Sequence, residues 1–449
     1  MKSTDDGPLK RHVLPWVDSW GELYAGVLFL LYAGLLFLYS APPGLADFGD
    51  WTYEAVLLKN HWLGVPDSLH ILKHYPVPNS MVTIGVALLA LVFHWQIAEK
   101  LWISLQLLIS FFALRTMMRT ITVSRVLWFI VPTAVFLNLD FWYGFLSFQL
   151  GVCWLIFLVA LMLREEPRKW LFGVVLLLGF FSHMIPFAFS SLLLLLYVAQ
   201  SRRFRLLWQF IPTAILSLWY LAGRFLIEGN ADGHAGMLSP VRNYSPAFWL
   251  YKVNSYLKSF GYVNPYAANG SIASHLLGPR VIDALFLING ILCAAIGWCM
   301  IRAAVAAYRD KSPVRFAWTA ILIVLPIYLL APGSALGVSD PGARVLEVAL
   351  AVGVFLCGAV SVPMRVAAVC SCLVAVVSVC LFAKVVIGPD VHFSGSPSLP
   401  GTVLKFGHVP SHSKDMYYDA LERGDMRLRV FPTGLFLSSA HAEEPPKSF

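Results

Sequence analysis

Three carboxylates stand close together in the stretch ADFGDWTYEA: Asp47, Asp50 and Glu54. If the stretch is helical they lie at i, i+3 and i+7, along one helix face to within about 60°. Carboxylates grouped in this way can serve as a general base for a hydroxyl. The same residues also read as ordinary helix-start chemistry, with Asp47 as N-cap, Asp50 as its capping-box partner and Glu54 as a solvated position. Other reactive types occur singly. Asp140 stands in FLNLDFWYGFLSFQLG, a short turn crowded with aromatics, and GSALGVSDPGARVLEV carries Asp340 and Arg344. An Asp in a loop is most often a turn former, and an Arg at a membrane edge can simply snorkel to the headgroups. His183 sits at the apex of GFFSHMIPF, as a contact for a phosphate or an acceptor group, or as a satisfied interhelical histidine. In HILKH, His70 and His74 have an i, i+4 spacing that could hold a metal on a helix, but no third ligand accompanies them.

The elements that must position these groups are hydrophobic. Of 449 residues 58% are hydrophobic and 13% charged, with a mean hydropathy of +0.70. A soluble domain carries about 25% charge. Apolar runs near the roughly 20 residues of a bilayer crossing recur along the chain, which reads as an all-α, polytopic membrane protein. The polar N-terminus is too long for a cleaved signal. The seven cysteines all fall in apolar runs without a CxxC pair, so neither a disulfide framework nor a zinc site is indicated. The net charge of +8 is read as a guide to orientation and not as a sign of nucleic acid.

Eleven spans are expected, at roughly 22–40, 98–118, 124–139, 148–163, 170–182, 184–200, 206–227, 279–301, 316–332, 345–362 and 366–388. The run 81–93 has about 13 apolar residues and suits an interfacial or re-entrant helix. Leaving it out of the crossings puts Arg115, Arg119, Arg125, Arg164, Arg168, Arg202, Arg203, Arg309 and Arg315 on one side, with the N-terminus inside and the C-terminus outside. Residues 1–388 then form a membrane domain with outward loops 41–97 and 228–278. Residues 389–449 form a small α/β outward appendage, in which HSKDMYYDALERG is a short helix stopped by Gly424 and MRLRVF is strand-like. Arg224, Asp283, Glu347 and Lys384 each fall at an outward end of a span, so the chemistry belongs at that interface.

The order of elements resembles the GT-C superfamily of integral membrane glycosyltransferases over most of residues 20–350. A first span leads to an acidic outward loop. An amphipathic segment follows (KHYPVPNSMVTIGVALLALVFHW), then a span ending in arginines (LLISFFALRTMMR), a turn with Asn and Asp, a polar apex, and a late Asp–Arg turn. The resemblance implies a sugar donor linked to polyprenyl phosphate, a glycan or glycolipid acceptor and membrane lipids as surroundings; the basic inward loops fit a bacterial inner membrane. It implies Asp50 as catalytic base with Asp47 as its rival, Asp140 as the second-loop carboxylate, and Arg344 as the phosphate clamp with Arg224 competing. Asp340, His183, Glu54 and Tyr75 complete the expected substrate site. Asp47 and Asp50 are separated by Phe-Gly, unlike the adjacent acidic pair of many members, so no cofactor is assigned and a divalent cation stays open. Trp51, Tyr53, Trp62, Tyr75 and Trp95 are expected mainly as interfacial anchors, with one or two able to stack on a sugar. A transporter or flippase of lipid-linked sugars is the rival reading; it predicts internal repeats and midplane polar residues, and neither is evident.

Overall fold

The computed structural model describes residues 15–38, 45, 48–121, 125–142, 144–164, 167–224, 249, 252–253, 256–257, 279–331, 334–335, 338–339, 341–357, 361–387, 415–430 and 434–438. Asp47, Asp340, nearly all of the expected loop 228–278 and the first part of the tail lie outside these residues.

The described chain is mostly helical. Its helices are α1 (Pro15–Leu38), α2 (Phe48–Trp62), α3 (Ser80–Ala90), α4 (Trp95–Thr120), α5 (Leu127–Val131), α6 (Leu139–Trp142), α7 (Leu146–Met162), α8 (Lys169–Ser182), α9 (Met184–Ser201) and α10 (Ile211–Ala222). They continue as α11 (Pro279–Arg309), α12 (Arg315–Leu330), α13 (Pro341–Leu356), α14 (Val362–Ile387) and α15 (Asp415–Arg423). Among the described residues five helices are long and apolar enough to cross a membrane: α1, α4, α9, α11 and α14. Large apolar side chains such as Leu30, Leu38, Leu287, Ile301 and Val369 are exposed along these helices, as expected where lipid is the solvent.

By length, therefore, five helices qualify, not eleven. The other expected spans fall on shorter pieces, and local chemistry explains several. Pro132 turns the run after α5 into a π-helical segment, Pro132–Phe136, and the run before α10 is a 3-10 segment, Phe204–Phe210. The α3 helix has 11 residues, which reach only about 16 Å. It lies against α4 where Gly85 leaves room for the Trp102 ring; a Cβ there would stand 2.0 Å from it. Gly85→Val is expected to cost about 1–3 kcal/mol through overpacking, read as a lowered Tm in detergent.

Contacts sort the helix ends. At one end Glu22 of α1 pairs with Arg115, with Arg119 at 3.8 Å, and Gln200 Nε2 donates to the Pro313 carbonyl at 2.8 Å. Toward the other end the start of α7 meets the middle of α4, where Gln106 Nε2 donates to the Leu146 carbonyl at 2.9 Å, and Ser147 Oγ donates to the Asn79 carbonyl at 3.4 Å. The turns before α7, α9 and α13 gather there.

The tail does not stand apart as an appendage. Its strand β4 (Phe436–Ser438) pairs antiparallel with β1 (His70–Leu72) of the first loop, with Ile71 opposite Leu437. The helix α15 ends at Gly424, as expected, in the left-handed conformation (φ 69°). The strand is not the stretch MRLRVF but a later one, because the partner strand fixes where pairing occurs. A second small ladder joins β2 (Ser334–Ala335) to β3 (Val338–Ser339) before α13.

Candidate functional site

The α2 helix places Asp50 in its first turn, where the helix dipole favours a carboxylate, and Glu54 one turn on along the same face. Both are buried, Asp50 at 8% and Glu54 at 3% exposure. Asp50 Oδ1 accepts from the Trp51 N–H at 3.0 Å. Glu54 Oε2 accepts from the Leu435 N–H of the tail at 3.1 Å. Gly434 makes this approach possible, since a Cβ on it would fall 1.7 Å from Glu54 Oε1. Burial first, and then the neighbouring Asp50, push the Glu54 carboxyl up to about 8, while the Leu435 N–H and Lys73 oppose the shift. At pH 7 Glu54 therefore keeps its proton and can act as a hydrogen-bond donor, not as a solvated charge.

Two consecutive tyrosines of α15 reach α2 and α4. Tyr417 packs against Tyr53 with ring centroids 5.1 Å apart, and Tyr418 stacks on Trp95 at 5.9 Å. Tyr53 Oη accepts from the Leu428 N–H at 3.0 Å, and Tyr417 Oη donates to the Arg429 carbonyl at 2.7 Å. His70 is on a strand, not a helix, which removes the i, i+4 metal geometry with His74. Its Nδ1 faces Asp67 at 2.9 Å and its Nε2 the Leu428 carbonyl at 2.8 Å.

A titration follows from the Glu54 environment. Its carboxyl, free at 4.5 and raised to about 8 in the docked tail, stabilises docking fully only at acid pH. That contribution declines as pH climbs from 4.5 through about 8, because the undocked state then releases a proton that the docked state retains. Glu54→Gln keeps an acceptor for Leu435 and removes the titration. Amide exchange of the tail, compared between wild type and Glu54→Gln at each pH, is expected to diverge as pH rises, with the wild type losing protection.

A second group forms where α6, α7, α9 and α13 meet. The Arg344 guanidinium lies over the Phe145 ring at 4.0 Å, and the Phe148 ring meets His183 edge-on at 5.3 Å. His183 Nδ1 accepts from the Ile185 N–H at 3.2 Å and caps α9. Burial, and then the charge of Arg344, hold this imidazole well below its ordinary range. The ring is neutral at pH 7, and with Nδ1 accepting, its proton is on Nε2. The Asp140 backbone carbonyl accepts from the Phe145 N–H at 2.9 Å; its side-chain Oδ2 is buried without a hydrogen bond among the described residues. Asn138 Oδ1 accepts from Gln149 Nε2 at 2.7 Å, and both line a water-sized cavity of about 10 Å³ with Glu347.

The segment between β1 and α3 links the two groups. Lys73 Nζ lies 5.8 Å from the Tyr75 ring centre, and Tyr75 pairs with Tyr220 at 6.1 Å. Gly223, just before Arg224, has no room for a Cβ against Tyr75. Asn79 receives the Ser147 hydroxyl two residues past Phe145. Asp50 and Glu54 thus form one group and His183 and Arg344 another, while Tyr75 lies in the segment between them and Asp140 meets the second group only through the Phe145 backbone. Among the described residues no three His, Cys, Asp or Glu side chains converge to hold a metal.

No family model, curated protein or solved structure matches the chain.

Several polar residues escaped the sequence reading. Glu99, in the second turn of α4, is fully buried, with the Tyr418 phenol and the Thr52 hydroxyl as polar neighbours. The adjacent Glu99–Lys100 at the start of an apolar run was its only signal. Gly434 and the Asn138–Gln149 pair gave none, because their meaning lies in contacts between distant segments.

Proposed function

We propose that this protein is a multi-pass membrane glycosyltransferase of the GT-C type, moving a sugar from a polyprenyl-phosphate donor to an envelope glycan or glycolipid. It would work at the outer face of a bacterial inner membrane, with the N-terminus cytoplasmic and the C-terminus outside. One observation supports the reading above the others. A buried carboxyl pair on α2 and the His183–Arg344 pair, whose members Asp50 and Arg344 are 294 residues apart in sequence, lie toward one end of a bundle with exposed apolar flanks, where a lipid-borne phosphate could arrive laterally.

In this reaction Asp50 takes the proton of the acceptor hydroxyl, whose oxygen forms the new bond to the anomeric carbon. The anomeric carbon–oxygen bond to phosphate breaks, and its electron pair leaves with the polyprenyl phosphate. A phosphate leaves without protonation, so no second acid is needed. What it needs is donors: the Arg344 guanidinium and the Nε2–H of His183 suit it. Protonated Glu54 orients Asp50. Asp140, with an acceptor oxygen unused, positions the acceptor hydroxyl, and Asp47, Asp340, Arg224 and Tyr75 remain candidates for the rim of the site.

The deciding experiment incubates purified protein with a panel of polyprenyl-phosphate sugars and follows donor consumption by mass spectrometry. Release of polyprenyl phosphate together with a new glycosidic product supports the proposal. Passage of intact donor across proteoliposomes without a new bond favours the flippase instead. Arg344→Ala is expected to lower kcat/KM for donor by about 10–150-fold, the worth of a charge-assisted hydrogen bond, and Arg344→Lys to recover only part, since a lysine has no planar face for Phe145 and no fork for phosphate.

A further inference from the structure

Farther along α2, the tail and the first loop enclose a second space. A cleft of about 270 Å³ opens between the later turns of α2, the 65–70 turn and the tail. Its apolar lining includes the buried Leu57 and Phe436 together with Val65, Leu69 and Met426. Its walls carry Asn60, His61 and Ser68, whose side chains make no hydrogen bond among the described residues.

The charged parts of the wall are fixed in advance. Asp67 accepts from the Leu69 and His70 N–H groups at 2.8 and 3.1 Å and faces His70 Nδ1 at 2.9 Å. Arg427 is held by both oxygens of Asp425, each at 2.9 Å. Asp67 is thus held by the 69–70 backbone and His70, and Arg427 by Asp425 just behind the wall, so neither is a free charge. The cleft is also built by two segments more than 350 residues apart, His70 and Leu428 being 358 residues from one another.

We propose that this cleft binds a neutral pyranose ring of the acceptor glycan. The assignment rests on the glycosyltransferase reading for the word acceptor, and on the cleft alone for the ring. The volume lies near the lower limit of about 300 Å³ for small-ligand pockets, which suits one ring and not an extended chain. An apolar lining joined by an amide, an imidazole and a hydroxyl matches a pyranose, whose C–H face is apolar and whose rim is hydroxylated. A phosphate would need unshared positive charge, and Arg427 is already engaged by Asp425. Leu57 is seven residues from Asp50, about 10 Å along the helix axis, which leaves room for the reacting sugar between the cleft and the base. A ligand touching both walls also favours the docked tail.

The test uses the full chain in detergent. Saturation-transfer NMR titrations are run with methyl glucopyranoside, methyl galactopyranoside, methyl mannopyranoside and, separately, inorganic phosphate. At least one pyranoside is expected to bind, and the double variant Asn60→Ala/His61→Ala to weaken it at least about tenfold. Both positions are away from the core, and an unchanged Tm verifies the fold. Asp50→Asn is expected to leave pyranoside binding unchanged. The proposal is overturned if none of the three pyranosides saturates the wild type, if the double variant binds as well as wild type, or if phosphate binds in their place. Pyranoside binding without consumption of any polyprenyl donor removes the transferase reading and leaves a sugar-binding cleft.

Discussion

Asp50→Asn is expected to reduce sugar transfer by about 10²–10⁴-fold, the usual worth of a general base, while the protein still folds. The substitution keeps the size of the side chain and an oxygen for the Trp51 N–H, so α2 and the docked tail should persist. Asparagine has no lone pair basic enough to take a hydroxyl proton. The variant also removes the charge that helps to raise Glu54, so the titration of tail docking should shift toward lower pH in the same protein. Donor consumption gives the first readout and tail amide exchange the second. Full transfer activity in Asp50→Asn would move the base to Asp47 or Asp140.

Gly434→Ala is the other substitution with a large expected effect. The added methyl would fall 1.7 Å from Glu54 Oε1 and 2.3 Å from its carboxyl carbon, so one of them must move. Glu54 is enclosed, and the tail backbone is held by the Lys73 N–H to Leu435 carbonyl bond at 2.9 Å and by the β1–β4 ladder. The expected outcome is release of β4, at a cost of about 1–3 kcal/mol from overpacking and more if the Glu54–Leu435 bond is lost. Limited proteolysis should then cut near residue 434 at least tenfold faster. Exchange protection of β4 as strong as in wild type would show that the contact relaxes without undocking.

The parts of the fold that were legible in the sequence are those decided locally. Apolar runs fall on helices because their pattern is contained within each segment, and Gly424 stops α15 because a left-handed residue is a local requirement. The i, i+4 relation of Asp50 and Glu54 was equally readable, once the stretch was taken as helical. Length was misjudged where proline and aromatic clusters break a run, as at Pro132. The spacing of His70 and His74 allows a helix; the strand that His70 adopts instead is imposed by Phe436–Ser438, far along the chain. Glu54 reads as solvated in isolation, since nothing in DWTYEA reveals Leu435 and Gly434 arriving above it. The pairing of His183 with Arg344 was legible only as two candidates, because their proximity is a property of how α9 and α13 pack.

The union of the segment carrying α2 and β1 with the tail has a consequence for biogenesis. Glu54 meets Leu435 across 381 residues and Tyr53 meets Leu428 across 375, so the ribosome must deliver all the intervening helices before either bond can form. Until then the face of α2 that carries Glu54 lacks its cover, although α3 already packs on the helix, and its final closure is a late step governed by the slow pairing of distant segments. A nascent chain arrested before residue 415 should therefore insert into the bilayer yet present α2 to proteases that spare the finished protein.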